Sequence, residues 1–528
     1  MRLGAPFCAG LGASVVAPWR QGSRVRQSYQ GGEGGQRGFP ASGPSRWPYL
    51  QRAAPRTGTR HHGSVNAALS PCQAALPFST GVCRCPRAVL PPHRRPSPPP
   101  KAFWPQNPAA LPPNQKRLCR RIKSGFAAVT YGRARPVSGS AFPETSLSDS
   151  THRFGTRCIH AGQAPEATTG AITLPIFQTS TYVQEGIGRH KGYEYARLQN
   201  PTREACEANI ASLENGAHGI AFSSGLASIE CLTKTLSAGD HIVSEENTYG
   251  GTTRMFTRVL ARLGLEFSFV DCRDLDAVRE AVRPTTRLIH VESPTNPLMR
   301  VSDIGALAQV AHDAGAVLAV DSTFASPYNQ RPLDLGADVV MHSTTKYLNG
   351  HSDVLGGILV VNSDELAEEL HFVRKSTGPL PGPMDSWLIL RGTKTLEVRM
   401  ERHNANGQKV AEFLAHHPMV KAVHYPGLTS HPEHELASRQ MRGFSGMLSV
   451  ELPEGAAERL VERTRIFRLA ESLGGVESMI SIPSLMTHAS VPEERRIEMG
   501  ITNGLVRLSV GIEDGDDLVE DLDQALTA

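Results

Sequence analysis

Five times between residues 219 and 341 the sequence repeats one pattern, a short apolar run followed by a turn that carries a polar or charged residue. The runs are Gly219-Ile220-Ala221-Phe222, His241-Ile242-Val243, Leu288-Ile289-His290-Val291, Ala316 to Val320, and Val339-Val340-Met341. Stretches of helical pattern separate them, such as Leu226 to Leu236. Near-continuous Val, Ile and Leu runs are what strands buried on both faces require. The pattern therefore predicts an α/β fold, a parallel or mixed sheet covered by helices. After about residue 397 it changes to long charged helices with a few alternating strands, such as Met447 to Glu451, which predicts a smaller C-terminal α+β domain.

The first 143 residues read differently. They hold 21 Lys and Arg against a single acid, Glu33, and 21 of the 38 prolines. The rest of the chain carries a net charge of −16, so the overall +4 conceals two opposed halves. A segment so rich in charge and proline cannot bury enough apolar surface to offset its ordering entropy, and 1–145 is expected to be disordered. Three readings compete for it: an organelle transit segment, a basic arm on nucleic acid, or upstream sequence translated from an early start. The last is preferred. The tail lacks the interleaved aromatics of a single-strand binder, so no nucleic-acid partner is expected. No methionine stands between Met1 and Met255. The body cysteines, Cys158, Cys206, Cys231 and Cys272, are widely spaced with no metal-binding pattern, and are expected to be reduced and buried in a cytoplasmic protein. No apolar run approaches the length of a membrane span.

In open parallel sheets, ligands bind beyond the carboxyl ends of the strands. Each of the five runs delivers a distinctive group there. The first leads to Ser223-Ser224-Gly225 and a helix start, where free amides favour a phosphate. The second leads to Asn247-Thr248-Tyr249-Gly250-Gly251, with a tyrosine able to stack on an aromatic ring. The third leads to Ser293-Pro294-Thr295-Asn296-Pro297, where prolines hold Asn296 rigidly. The fourth ends at Asp321 and the fifth leads to Lys346, flanked by Ser343 and Thr345. Taken singly these are a helix cap, a packed tyrosine, an Asx-turn and a solvated lysine. Together on one sheet edge they point to pyridoxal phosphate (PLP). Its chemistry needs a lysine to take the aldehyde and a carboxylate for the protonated ring nitrogen.

With these residues in view the sequence resembles the Cys/Met-metabolism PLP-dependent enzymes, from about Gly155 to Leu526. The matching stretches include Tyr193-Glu194-Tyr195-Ala196-Arg197, Asn200-Pro201-Thr202-Arg203, Asp321-Ser322-Thr323-Phe324, Ser472 to Ser478, Met486-Thr487-His488-Ala489 and Arg507 to Gly511. The resemblance implies an aspartate-aminotransferase-like (fold type I) PLP domain over 206–397, a C-terminal domain over 398–528, and an N-terminal arm over 146–205 that contacts a neighbouring subunit. It implies that Lys346 is the cofactor lysine and proton shuttle, and that Asp321 pairs with the ring nitrogen. Tyr249 would stack on the ring and assist proton transfer. Gly225, Leu226, Ser343 and Thr345 would hold the phosphate, and Asn296 would position cofactor and substrate. Tyr195 and Arg197 would reach the phosphate in a neighbouring subunit, making the enzyme a homo-oligomer, a dimer of dimers. Arg507 would take the carboxylate of a small amino-acid substrate, with Ser478 and Glu477 as further substrate contacts.

Cystathionine gamma-lyase and gamma-synthase share all these residues, and both readings stay open, the lyase favoured by Glu194, Glu477 and the stretch from Ser472 to Gln524. Gly251 stands where methionine gamma-lyases usually carry cysteine. The body of about 380 residues is short for an O-acetylhomoserine sulfhydrylase. A non-catalytic PLP-binding scaffold is expected to lack Lys346 or Tyr249, and neither is missing.

Overall fold

The computed structural model describes residues 152–489 and 491–527. The disorder expected over 1–145 lies outside the described residues.

Among the described residues, twelve strands form two sheets. The larger runs in the order β1 (His218–Phe222), β7 (Gly357–Val361), β6 (Val339–His342), β5 (Val317–Asp321), β4 (Thr286–Glu292), β2 (His241–Glu245), β3 (Glu266–Val270). Neighbouring pairs from β6 to β3 are parallel, while β7 is antiparallel to both β1 and β6. The sheet is thus mixed. The five runs of the sequence pattern become β1, β2, β4, β5 and β6; β3 and β7 were not anticipated.

The apolar runs are continuous because successive side chains enter different cores. Ile242, Leu288 and Ala319 join Phe222, Ile229 and Phe256 on one face. Val243, Ile289, Leu318 and Val320 join Ile304, Leu307 and Val310 on the other. The covering helices start at side-chain caps. Asn200 accepts the amides of Thr202 and Arg203, Ser224 that of Ala227, and Asp303 that of Ala306.

The second sheet runs β10 (Arg468–Leu469), β11 (Met479–Ser481), β12 (Leu505–Ser509), β9 (Met447–Glu451), β8 (Ala422–His424). Only β10 and β11 are parallel. Helices Leu396–His416, Ala456–Arg463 and Gly515–Thr527 share its core through Val410, Leu460 and Leu518. The expected boundary at 397/398 falls inside helix Leu396–His416. Residues 161–200 carry no helix and a single bridge, Thr181 to Tyr195. Cys158, Cys206, Cys231 and Cys272 are free and buried. Among the described residues no helix is long and apolar enough to cross a membrane.

Candidate active site

The carboxyl ends of the parallel strands surround a cavity of about 300 Å³, within the usual range for a small-ligand site. Gly225, Leu226, Tyr249, Asn296, Asp321, Ser343, Thr345, Lys346 and Arg507 all line it. Residues separated by nearly 300 positions therefore meet, because β2, β4, β5 and β6 lie side by side and β12 of the second sheet supplies Arg507.

Lys346 sits in the turn after β6. Its Nζ donates to the Ser472 hydroxyl at 2.7 Å. Burial, with the Arg507 guanidinium, lowers the amine to about 8, against the opposite pull of Glu471 and Asp321. Ser472 holds a left-handed backbone, φ 88°, unusual for a residue with a side chain. In that conformation its hydroxyl meets Lys346 while its carbonyl accepts Arg507 Nη2 at 2.9 Å. Arg507 Nη1 donates to Asn296 Oδ1 at 2.9 Å. Its Nε is buried with no hydrogen-bond partner. Burial lowers this guanidinium to about 10, so it stays charged at neutral pH.

Two buried carboxylates end adjacent strands, since Glu292 of β4 is in register with Asp321 of β5. Burial raises the Asp321 carboxyl, against hydrogen bonds from Thr323 and the charges of His342 and Lys346. Burial and the Asp321 charge raise Glu292 in turn. Asp321 accepts the Thr323 hydroxyl at 2.5 Å, and Thr323 Oγ1 in turn accepts the Ser343 amide at 2.9 Å, tying the carboxylate to the lysine turn. Glu292 accepts the amides of Tyr249 and Asn296, each at 2.8 Å, and the Thr248 hydroxyl at 3.0 Å. One glutamate thus fixes two loops that reach the cavity.

At the start of helix Gly225–Thr233 the Ser224 cap engages the Ala227 amide. The amides of Gly225 and Leu226, in its first turn, have no intrahelical partner. Ser343 lines the same end of the cavity. Thr345 also lines the cavity, and its hydroxyl is engaged by Gly356, accepting its amide at 3.0 Å and donating to its carbonyl at 3.3 Å.

Four expected residues are not brought into the cavity. Ser478 is buried, but its hydroxyl donates to Glu513 at 2.9 Å and accepts the Gly511 amide at 2.8 Å. Glu477 is exposed and accepts the Ser352 hydroxyl at 3.1 Å. Neither of these two expected substrate contacts is among the residues that line the cavity. Tyr195 and Arg197 lie outside their own chain's cavity, the guanidinium 5.5 Å from the tyrosine ring and bonded to the Lys375 carbonyl. Arg203 holds this segment by donating to the carbonyls of Ala196 and Leu198, both at 2.8 Å. Sequence reasoning missed Glu292, Thr323, Glu471 and Ser472. Glu292 left a signal as a carboxylate ending a strand, and Thr323 and Ser472 stand in stretches that carry the resemblance.

An amine near neutrality, a buried carboxylate, free helix-start amides and an unpartnered guanidinium N–H around one cavity fit pyridoxal phosphate and an amino-acid carboxylate. Comparison with known proteins agrees. The family model described as Cys/Met metabolism PLP-dependent enzyme matches residues 155–527. The chain is 53% identical over 374 residues to a cystathionine gamma-lyase of Bacillus subtilis (strain 168), covering 70% of this chain and 98% of that protein. It is 54% identical over 375 residues to a cystathionine gamma-synthase of Mycobacterium tuberculosis (strain ATCC 25618 / H37Rv), covering 70% and 96%. It is 52% identical over 372 residues to a cystathionine beta-lyase of Lactococcus lactis subsp. cremoris (strain MG1363), covering 70% and 98%. The chain belongs to the Cys/Met metabolism PLP-dependent enzymes, and is an enzyme of the trans-sulfuration kind that uses pyridoxal phosphate on a small amino-acid substrate.

Proposed function

We propose that the chain is a cystathionine gamma-lyase, converting cystathionine and water to cysteine, 2-oxobutanoate and ammonia. One observation carries this reading: the cavity that holds the Lys346 amine and the unpartnered Arg507 Nε also has an exposed carboxylate, Glu471, in its lining. Cystathionine carries an amino-acid group at each end. Arg507 takes the α-carboxylate at the reacting end, and Glu471 offers its charge to the distal ammonium. Glu471 replaces Glu477 in this role, because Glu477 lies outside the cavity lining.

Pyridoxal phosphate, when bound, supplies an electron sink for the substrate carbons joined to it. Lys346 would hold the cofactor at its aldehyde and would move protons at the substrate α- and β-carbons. An amine lowered to about 8 is roughly one-tenth neutral at pH 7, several hundred times the fraction at an ordinary lysine value. The Ser472 hydroxyl holds that amine in place between transfers. Asp321 would keep the ring nitrogen protonated, and Tyr249 would pack against the ring. Gly225, Leu226 and Ser343 would hold the phosphate; Thr345 would join them by releasing Gly356. Tyr195 and Arg197, turned outward, suit the phosphate of a second copy in a homo-oligomer.

A pH measurement tests the lysine. Only the neutral amine attacks the aldehyde, so PLP uptake by cofactor-free protein should quicken about tenfold per pH unit and level off near pH 8. Stopped-flow absorbance that climbs through pH 10 without levelling would contradict the lowered amine.

The gamma-synthase reading draws on the 54% identity to the mycobacterial protein. The two activities divide a common pathway, and about 1–2 kcal/mol of partitioning decides between them. Incubation with cystathionine should release 2-oxobutanoate and cysteine in equal amounts. Pyruvate with homocysteine would instead show cleavage on the β side. Faster net formation of cystathionine from an O-acyl homoserine and cysteine would establish the synthase.

A further inference from the structure

We propose that Glu292 is a positioning residue for the substrate carboxylate, acting through Asn296 to set the plane of the Arg507 guanidinium. The inference rests on the role given above to Arg507. Three hydrogen bonds in series carry it. Glu292 Oε1 accepts the Asn296 amide at 2.8 Å. Asn296 Oδ1 accepts Arg507 Nη1 at 2.9 Å, and the Ser472 carbonyl accepts Arg507 Nη2, also at 2.9 Å. Two anchored nitrogens fix a planar group, and the third, Nε, is left buried without a hydrogen-bond partner. Glu292 ends β4 of the larger sheet and Arg507 lies in β12 of the second, so the series ties one sheet to the other at the cavity.

The turn around Asn296 has few amides to be held by. Pro294 and Pro297 have none, and the Thr295 amide donates to the Arg300 carbonyl at 3.0 Å. Glu292 therefore grips the one amide whose own side chain meets the guanidinium. The turn has further anchors in the Thr295 bond and in the Ser449 hydroxyl, which donates to the Pro297 carbonyl at 2.7 Å. Loss of the Glu292 contact should free the Asn296 peptide while the turn stays folded.

The two glutamate oxygens are not equivalent. Among the described residues Oε2 accepts two donors, the Tyr249 amide at 2.8 Å and the Thr248 hydroxyl at 3.0 Å, and Oε1 accepts one, the Asn296 amide. In either protonation state an acid keeps acceptor capacity on both oxygens, whereas the amide nitrogen of glutamine accepts nothing. In Glu292→Gln the remaining oxygen belongs where two donors meet, and the nitrogen then faces the Asn296 N–H. The substitution thus releases the Asn296 side and keeps the Tyr249 side.

The test is a double-mutant cycle on the PLP-loaded enzyme: wild type, Glu292→Gln, Asn296→Ala and the double variant. Dissociation constants are measured by cofactor absorbance for glycine and for glycinamide, which share an amine and differ in the carboxylate, and separately for PLP. Wild type should bind glycine more tightly than glycinamide. Glu292→Gln should weaken glycine by about tenfold or more, and glycinamide and PLP by less than about twofold. In the Asn296→Ala background, where the link to Arg507 is already cut, the same substitution should change glycine affinity by less than about twofold. Equal weakening of glycine and glycinamide marks Glu292 as merely structural and overturns the inference. So does a loss of PLP affinity with glycine unaffected, or the same glycine loss in both backgrounds. If wild type binds the two ligands alike, the role of Arg507 falls and this inference with it. If wild type prefers glycine and Glu292→Gln keeps that preference, only this inference falls. Should Glu292→Gln fail to fold, Glu292→Asp takes its place, with both acceptors drawn back by one methylene. It must lower the preference for glycine only while Asn296 is present, and an unchanged preference overturns the proposal.

Discussion

Lys346→Ala should lower kcat/KM by at least about 10⁴-fold, on the order of 5 kcal/mol of barrier, and should leave a folded protein without the visible absorbance of cofactor joined through its aldehyde. Two functions are lost at once, the covalent attachment and the proton transfers at the substrate carbons. The loss should be chemical. The amine is buried and makes a single hydrogen bond, to Ser472, so removing it also removes a buried charge and should not destabilise the protein. Added methylamine is small enough to enter the vacated volume and should restore part of the turnover. Steady-state kinetics with and without the amine check this. A Lys346→Ala enzyme with turnover near wild type would remove the mechanistic core of the account.

Asp321→Asn should lower kcat by about 10³-fold, roughly 4 kcal/mol, while stabilising the cofactor-free protein. The amide keeps the shape and can still accept the Thr323 hydroxyl and amide. It cannot hold a proton on the cofactor ring nitrogen. The stability effect has the opposite sign for a definite reason. The folded-state carboxyl of Asp321 is raised above its unfolded value. Such a group binds more protons folded than unfolded, so it costs stability as pH rises from the unfolded toward the folded value. At pH 7–8, above the unfolded value, burying this carboxyl beside Glu292 therefore destabilises the wild type without cofactor, and the substitution relieves that cost. Each unit of relief is worth about 1.4 kcal/mol. Thermal unfolding of the cofactor-free proteins should show the variant melting higher at pH 7.5 and level with wild type near pH 4. A variant that melts lower at pH 7.5, or that keeps its kcat, would contradict the pairing of Asp321 with a ring cation.

These residues differ in how far the sequence disclosed them. Asp321 and Lys346 were legible because each follows a strand that had to be buried on both faces, and strands of one sheet end at one edge. The same logic located Tyr249 and Asn296. It did not locate β7, a strand inserted between β1 and β6 against the prevailing direction, since direction is set by pairing and not by the pattern of a single run. Partners supplied from far along the chain were invisible for a similar reason. Lys346 and Ser472 are 126 residues apart, and nothing local to either records the contact. Ser478 shows the converse. It stands close to Ser472 in a glycine-rich stretch, yet both its acceptor and donor capacities are taken by Gly511 and Glu513. Glu477 and Glu471 are six positions apart, and of the two only Glu471 lines the cavity.

The covalent role of Lys346 is the claim on which the rest depends, and borohydride trapping tests it most directly. The enzyme is incubated with pyridoxal phosphate, reduced, digested and examined by mass spectrometry. The account predicts one cofactor-sized adduct, on the lysine of the peptide containing Ser343-Thr344-Thr345-Lys346-Tyr347. An unmodified Lys346 peptide, or an adduct confined to another lysine such as Lys394, would contradict it.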